Sequence, residues 1–308
     1  MNSPALTVVL CVHNPHAGRL QRVLDALAGQ TLPASEWTLL LVDNASQPPL
    51  QSRGIPLPPG AHIIDAPELG LTAARLAGIR SAESNILVLI DDDTVAAPDY
   101  LEVALRLMRA HPEIGAAGGR IAGEFEVAPA SWMRGFLDVL ALRDFGDRPI
   151  RALAPNHIGP WEPCGAGMVV RRQVALAYAQ MVGTDARRRL DRVGTRLSSC
   201  GDTDLARTAS DLDFYLAYEP GLHLTHLIPA GRLRLPYLLR ITYCIQRDGW
   251  MLLRMRGAPS ALGGWRLWAH RLLAPVRSFR PDPRQWALRL AGAWGQLQGR
   301  ALELGEPR

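Results

Sequence analysis

The chain has no lysine, and all 34 of its basic residues are arginine. A GC-rich coding bias accounts for that better than any physical requirement. Cysteine is sparse. Cys11, Cys164, Cys200 and Cys244 stand too far apart for a metal-type spacing, and a cytosolic protein keeps such thiols reduced. Long apolar runs are missing as well. A stretch such as Ile86 to Ile90 falls far short of the ~20 residues a membrane span needs. Met1 to Pro4 offer no basic region ahead of a long apolar one, so nothing reads as a secretory signal. Repeats and low-complexity segments are absent. These absences together point to a cytoplasmic protein.

What is present suits a large folded unit. Of 308 residues, 48% are hydrophobic, which permits a sizeable core and excludes wholesale disorder. Charge is unevenly spread. Met1 to Ala230 carry 20 arginines against 25 acidic residues, whereas Gly231 to Arg308 carry 14 against 4. The second segment also holds five of the eight tryptophans, Trp250, Trp265, Trp268, Trp286 and Trp294. The two parts are expected to do different jobs.

Strand and helix signals alternate along the first third. Thr7 to Val12, Trp37 to Val42, Ala61 to Ile64 and Ile86 to Ile90 read as strands. Gly18 to Ala28, with its stripe Leu20, Val23, Leu24 and Leu27, and Thr72 to Ala82 read as helices. Pro98 is placed to open a third helix striped by Leu101, Leu105 and Met108. This alternation predicts an α/β fold with a largely parallel sheet. Further on, Met168 to Val170 reads as a strand, Asp202 as the N-cap of a helix ending near Ser210, and Phe214 to Tyr218 and Leu222 to Leu227 as two short strands. Beyond Gly231 the pattern is helical, broken at Gly257 to Pro259 and at Pro281 to Pro283.

In a parallel α/β sheet, ligands sit at the carboxyl ends of the strands. His13-Asn14, Asp43-Asn44 and Asp91-Asp92-Asp93 all fall there. Three adjacent carboxylates after an apolar strand repel one another, and a divalent cation bound to a diphosphate offsets that cost. On an extended chain Asp91 and Asp93 share a face and Asp92 points elsewhere. The plainer reading is an acidic loop ahead of a helix.

The order of motifs decides between them. Thr7 to Asn14, Leu39 to Ser46, Leu69 to Ile79, Leu87 to Thr94, Cys164 to Arg172, Gly201 to Leu205 and His226 to Pro229 resemble, in sequence, the motifs of glycosyltransferase family two. The resemblance covers about three-quarters of the chain. It implies a GT-A fold, a Rossmann-like nucleotide-binding sheet with a mixed acceptor-side extension, followed by a helical tail. It implies residues 1–230 as catalytic domain, with 1–120 the nucleotide-sugar half and 121–230 the acceptor half, and 231–308 as the tail. It implies an inverting transfer of one sugar from a nucleoside diphosphate sugar to a hydroxyl of a glycan or lipid-linked acceptor.

By position, the resemblance gives His13, Asn14, Asp43, Arg75, Asp91, Asp92 and Gly167 to the donor. Asp93 and His226 go to a divalent metal, Mg²⁺ or Mn²⁺, and Trp161 and Gly165 to the acceptor side. Asp202 becomes the base, since one carboxylate beside the acceptor hydroxyl suffices when a metal stabilises the departing diphosphate. The family has glutamate before that aspartate; this chain has Gly201. His226 also reads as a strand histidine in a polar pocket, Trp161 as core, Asp202 as a cap alone, and His223 fits less well than His226. Gln246-Arg247-Asp248-Gly249-Trp250 holds the residues of the processive Gln-x-x-Arg-Trp motif in the wrong register, which favours single-sugar transfer.

In the tail, Trp265, Trp268 and Leu272 share one helical face, and Trp286, Leu290, Ala293 and Leu297 another. Basic helices bearing tryptophan suit an anionic membrane surface, which would make the protein peripheral at the inner face of the plasma membrane. The same helices could instead pack on the catalytic domain. No nucleic-acid recognition motif accompanies the charge. A nucleotidyltransferase would need a glycine-rich phosphate loop after the first strand, and Val12 to Gly18 has none. A catalytically inactive nucleotide-binding or scaffold protein of the same fold is the remaining alternative, supported by the missing glutamate.

Overall fold

The computed structural model describes residues 4–153, 160–258 and 264–301, the side chains of 264–268 excepted. The first strand, β1 (Leu6–Val12), is followed by α1 (Ala17–Ala28), β2 (Trp37–Asp43), β3 (Ala61–Asp65), α2 (Leu71–Ser81) and β4 (Ile86–Asp91). All of these lie within two residues of their sequence-based limits. β1 pairs in parallel with both β2 and β4, and β2 with β3. Leu6, Val8, Leu10 and Val12 point into one apolar layer with Leu20, Leu24 and Leu101, and Val9 into a second with Ala74, Ile79 and Tyr178. A strand covered on both faces must be apolar on both faces, which is why these read as unbroken runs.

Beyond β4 the sheet turns mixed. β5 (Thr94–Ala96), α3 (Tyr100–Ala110), β6 (Ile114–Phe125), β7 (Ile150–Ala152) and β8 (Met168–Arg171) come next. α4 (Arg172–Thr184), α5 (Gly201–Asp211) and β9 (Tyr215–Ile228) complete it, in the order β3-β2-β1-β4-β8-β6-β9-β5, with β7 beside β9. β8 is antiparallel to β4 and to β6, and β6 is parallel to β9. This α/β sheet with its mixed far side is the GT-A arrangement expected.

Three details differ from the sequence reading. Pro98 lies outside α3, whose N-cap is Asp99. The two short strands around Pro220-Gly221 are one, β9, and the interruption coincides with a register shift between Gly118 and Arg120 of β6. β6 itself carried no strand signal, being rich in glycine and alanine. Its Gly119 is required by close packing, since a Cβ there would meet the Leu222 carbonyl oxygen at 1.8 Å.

The tail forms α6 (Leu235–Met255), α7 (Gly264–Ser278) and α8 (Pro283–Ala301). Leu238 of α6 and Leu288 of α8 join Met133, Leu140, Ile228 and Leu233 in one apolar cluster, so the tail packs on the sheet-bearing part. The buried stripe of α8 is Leu288, Gly292, Gly295, Leu297 and Gly299; of the expected Trp286, Leu290, Ala293 and Leu297 it keeps Leu297, and the other three are half-buried. A Cβ on Gly295 would sit 2.3 Å from the Tyr243 carbonyl oxygen of α6. Gly295→Leu is therefore expected to part the two helices. Overpacking of this kind costs about 2 kcal/mol, or about 5 °C in Tm, read by thermal unfolding; an unchanged Tm would rule out this seam. Trp286 donates Nε1–H to Pro275 O at 2.9 Å, and the Arg300 guanidinium lies 3.7 Å over the Trp250 ring. The Trp265 and Trp268 side chains lie outside the described residues.

Candidate active site

A cleft of about 780 Å³ opens at the carboxyl ends of β1 and β4. Its floor carries Cys11, His13 and Asn44, its centre Asp91, Asp92 and Asp93, and its far wall Tyr237, Ile241 and Ile245 of α6. Burial pushes the Cys11 thiol up to about 12, so it is no nucleophile at neutral pH.

At the floor, His13 donates Nδ1–H to the Asn44 carbonyl oxygen at 2.7 Å. Two residues given to the donor are not among those lining the cleft, Asn14, exposed beside His13, and Asp43. Asn14 accepts from Gln47 N–H at 2.8 Å, at a left-handed φ of 45°. Asp43 is buried, and its two oxygens accept from the backbone N–H groups of Ser46 at 3.1 Å and Leu50 at 2.8 Å. That carboxylate folds the loop after β2.

The aspartate run is not extended. Asp92 and Asp93 form a turn between β4 and β5, so all three carboxylates reach the cleft and the expected alternation fails. Their environments differ sharply. Asp91 lies 3.7 Å from Arg75, yet burial still raises its pKa. Burial, with Asp93 and Asp91 beside it, pushes Asp92 up to about 7. Burial acts on Asp93 in the same sense, but the charge of Arg232, whose Nη2 lies 2.7 Å from Oδ2, holds that carboxyl well below the usual range.

Asp93 and His226 meet because β5 pairs with β9, setting Thr94 opposite His226. Asp93 Oδ2 is 3.5 Å from His226 Nε2. The partners of His226 assign its tautomer. Nδ1 faces the Leu140 carbonyl oxygen at 2.8 Å and must donate. Nε2 is 2.8 Å from Arg232 Nη1, a donor, and so presents a lone pair. A ring N–H held by a backbone carbonyl with the other nitrogen free is how metal-binding histidines are oriented. Among the described residues no group of three His, Cys, Asp or Glu could hold an ion alone. The Asp93–His226 pair fits a divalent ion as a two-ligand edge, with a diphosphate supplying further oxygens. Arg232 now lies on that edge, 2.7 Å from Asp93 Oδ2.

Into the same cleft α5 presents Asp202. The N-cap of α5 is Cys200, at φ 83°, not Asp202, which lies within the first turn. Freed from capping, its carboxylate accepts from Gly165 N–H at 2.8 Å through Oδ2 and from Thr203 N–H at 2.8 Å through Oδ1. Gly165 has no side chain because Arg75 fills the space; a Cβ would lie 2.1 Å from Nη2. Gly167, at φ 85°, makes room for Leu224, whose Cδ1 would lie 2.0 Å from a Cβ there. Trp161 packs on the second apolar layer, off the cleft wall. Asp204 is fully buried between Arg188 and Arg256, each at 2.8 Å, and His223 is exposed.

Several cleft residues carried no sequence signal. Arg232 lies in a 3-10 turn (Ala230–Leu233) soon after β9. Arg192 is exposed on the wall beside Asp91 and Asp93, and neighbouring Asp191 is buried. Asp248 of α6 accepts from Ser199 N–H at 3.0 Å and steadies the loop ahead of Asp202.

The curated glycosyltransferase AglE of Haloferax volcanii is 30% identical over 103 residues, 32% of this chain and 34% of that protein. The chain thus spans about a third of that relative's length. The family model for "Glycosyl transferase family 2" matches residues 7–175. That stretch runs from the first strand to the helix after β8, more than half of the chain, and therefore the protein belongs to glycosyl transferase family 2.

Proposed function

We propose that the protein is an inverting glycosyltransferase moving one sugar from a nucleoside diphosphate sugar to a hydroxyl of a glycan or lipid-linked acceptor. The observation that carries this reading is the Asp202 carboxylate, pinned by two backbone N–H groups in the cleft that Asp91, Asp92 and Asp93 also line. Asp202 takes the acceptor proton as the hydroxyl oxygen attacks the anomeric carbon, on the face opposite the leaving diphosphate. His13 and Asn44 border the nucleoside end. Arg232 and Arg192 offset charge on the departing diphosphate. A Mg²⁺ or Mn²⁺ ion held by Asp93 and His226 would add Lewis-acid stabilisation of the same charge. Residues 1–230 with α6, whose Tyr237, Ile241 and Ile245 complete the cleft, make the catalytic unit in this reading.

The test is release of nucleoside diphosphate from UDP-, GDP- and dTDP-sugars with Mn²⁺ or Mg²⁺. One donor is expected to be turned over, and chelation to abolish turnover. If no donor reacts while calorimetry shows UDP bound, the inactive nucleotide-binding alternative holds.

We propose further that α7 seats the enzyme on an anionic membrane surface. None of the helices in the described residues is long and apolar enough to cross a bilayer. Val276 and Phe279 are 73% and 63% exposed beside exposed Leu272 and Leu273, and Arg271 and Arg277 flank them. Such an apolar face with arginine at its edges matches lipid headgroups. Co-sedimentation with vesicles containing phosphatidylglycerol is expected to fall at least ~10-fold in Val276→Glu/Phe279→Glu, since each buried apolar side chain is worth about 1.5–3 kcal/mol. Equal binding by the variant, or none by wild type, would exclude this surface.

A further inference from the structure

Gly201 begins α5 directly before Asp202, and its lack of a side chain has a visible occupant. A Cβ built there would lie 2.3 Å from Asp191 Oδ2 and 2.5 Å from its Cγ. The Asp191 carboxylate therefore fills the volume in which a side chain at 201 would begin, and the two cannot coexist. Asp191 is 5% exposed and fully engaged. It accepts from Gly201 N–H at 3.1 Å, Arg75 Nη1 at 3.0 Å and Thr72 Oγ1 at 3.1 Å. Those contacts tie the first turn of α5 to the Arg75 guanidinium. That guanidinium in turn fills the space beside Gly165, whose N–H holds Asp202 Oδ2.

We propose that Asp191 is a positioning residue for sugar transfer, supplying from the loop ahead of α5 the carboxylate that position 201 lacks and fixing the aim of Asp202 through Gly201, Arg75 and Gly165. This rests on the reading of Asp202 as base. The missing acid at 201 is thereby a relocation of charge by ten positions along the chain and not a loss of function. Burial favours a neutral Asp191 and Arg75 opposes it. Arg75 is one cation among Asp191, Asp91 and Asp202, whose charges raise its pKa against the effect of burial.

The test is a reciprocal exchange: wild type, Asp191→Gly, Gly201→Glu and the double variant Asp191→Gly/Gly201→Glu, each assayed for thermal unfolding and for turnover of the donor found in the screen. Asp191→Gly is expected to lose about 100-fold in kcat with donor KM within about threefold, because misplacing a reacting group by about 1 Å has that effect. Gly201→Glu alone is expected to lose at least ~10-fold in kcat and to lower Tm. The double variant regains kcat to within about tenfold of wild type and recovers Tm. Asp191→Asn, which keeps the shape and folds, isolates the charge and is expected to lose about tenfold in kcat at unchanged KM. A double variant no better than Asp191→Gly, a Gly201→Glu protein with wild-type Tm, or an Asp191→Asn protein with wild-type kcat overturns the proposal. Asp202→Asn, run alongside, separates the readings. Full turnover there sinks the base, while the unfolding cycle still decides whether the two positions share one volume.

Discussion

Asp202→Asn is expected to lower kcat for sugar transfer by about 10³-fold while leaving donor KM within a few-fold, the range general base catalysis supplies. Asparagine keeps the size of the side chain and one of the two acceptors that Gly165 N–H and Thr203 N–H now use. It loses the electron pair that takes the acceptor proton. The nucleotide half of the cleft does not touch it, so donor binding should persist. Asp204, two residues along the same helix, is the contrast. It is fully buried between two arginines, and breaking such a pair costs about 3–5 kcal/mol. Asp204→Asn should therefore lower Tm with little effect on kcat per folded molecule, and Asp202→Asn the reverse. Steady-state rates with unfolding curves distinguish them, and a turnover of Asp202→Asn within threefold of wild type would move the base elsewhere.

The nucleotide side of the fold was legible because buried parallel strands and amphipathic helices leave strong periodic signals. β1, β2 and β4 are apolar on both faces, and no loop signal competes with them. β6 was silent for a physical reason. Its glycines admit Leu222, Phe214 and Pro163 against the backbone, and a strand built from residues without side chains has no pattern to read. The break at Pro220-Gly221 looked like a turn, yet a register shift absorbs it. The charge change near residue 230 was real, but an amphipathic helix does not declare which surface it covers. α6 lines the cleft, and its Asp248 holds the loop before Asp202.

The candidate site was legible in part for the same reasons. Asp91–Asp93 and Asp202 stand at element ends, where position implies exposure to ligand. Asp43 stands there too and turns inward, because two backbone N–H groups of its own loop satisfy its oxygens at less cost than a solvated carboxylate. Asp191 and Arg192 lie in irregular chain and Arg232 in a single 3-10 turn, too short to carry a period, and only the folded structure brings them to the cleft.

Arg232→Gln is expected to tighten Mn²⁺ binding in the absence of donor by at least ~10-fold, and Asp93→Ala to abolish it. The Arg232 guanidinium reaches both atoms a divalent ion would use, Asp93 Oδ2 at 2.7 Å and the His226 Nε2 lone pair at 2.8 Å. Unit charges about 4 Å apart interact by about 4 kcal/mol at an effective dielectric of about 20. Arg232 is half-buried, and even after solvent screening about 1.4 kcal/mol, a factor of about ten, should remain. In the proposed reading an incoming diphosphate would offer Arg232 a stronger partner, and donor binding would then be coupled to release of the Asp93–His226 edge. Wild type should accordingly bind Mn²⁺ more tightly with UDP present, and Arg232→Gln should show less of that gain. Asp93→Ala removes the carboxylate for which ion and arginine compete, and turnover is expected to fall by about 10²–10³-fold, the loss typical when one group that stabilises transition-state charge is deleted. Paramagnetic titration of Mn²⁺ with and without UDP reads the affinities directly. Equal affinity for wild type and Arg232→Gln would mean that the arginine does not guard the edge.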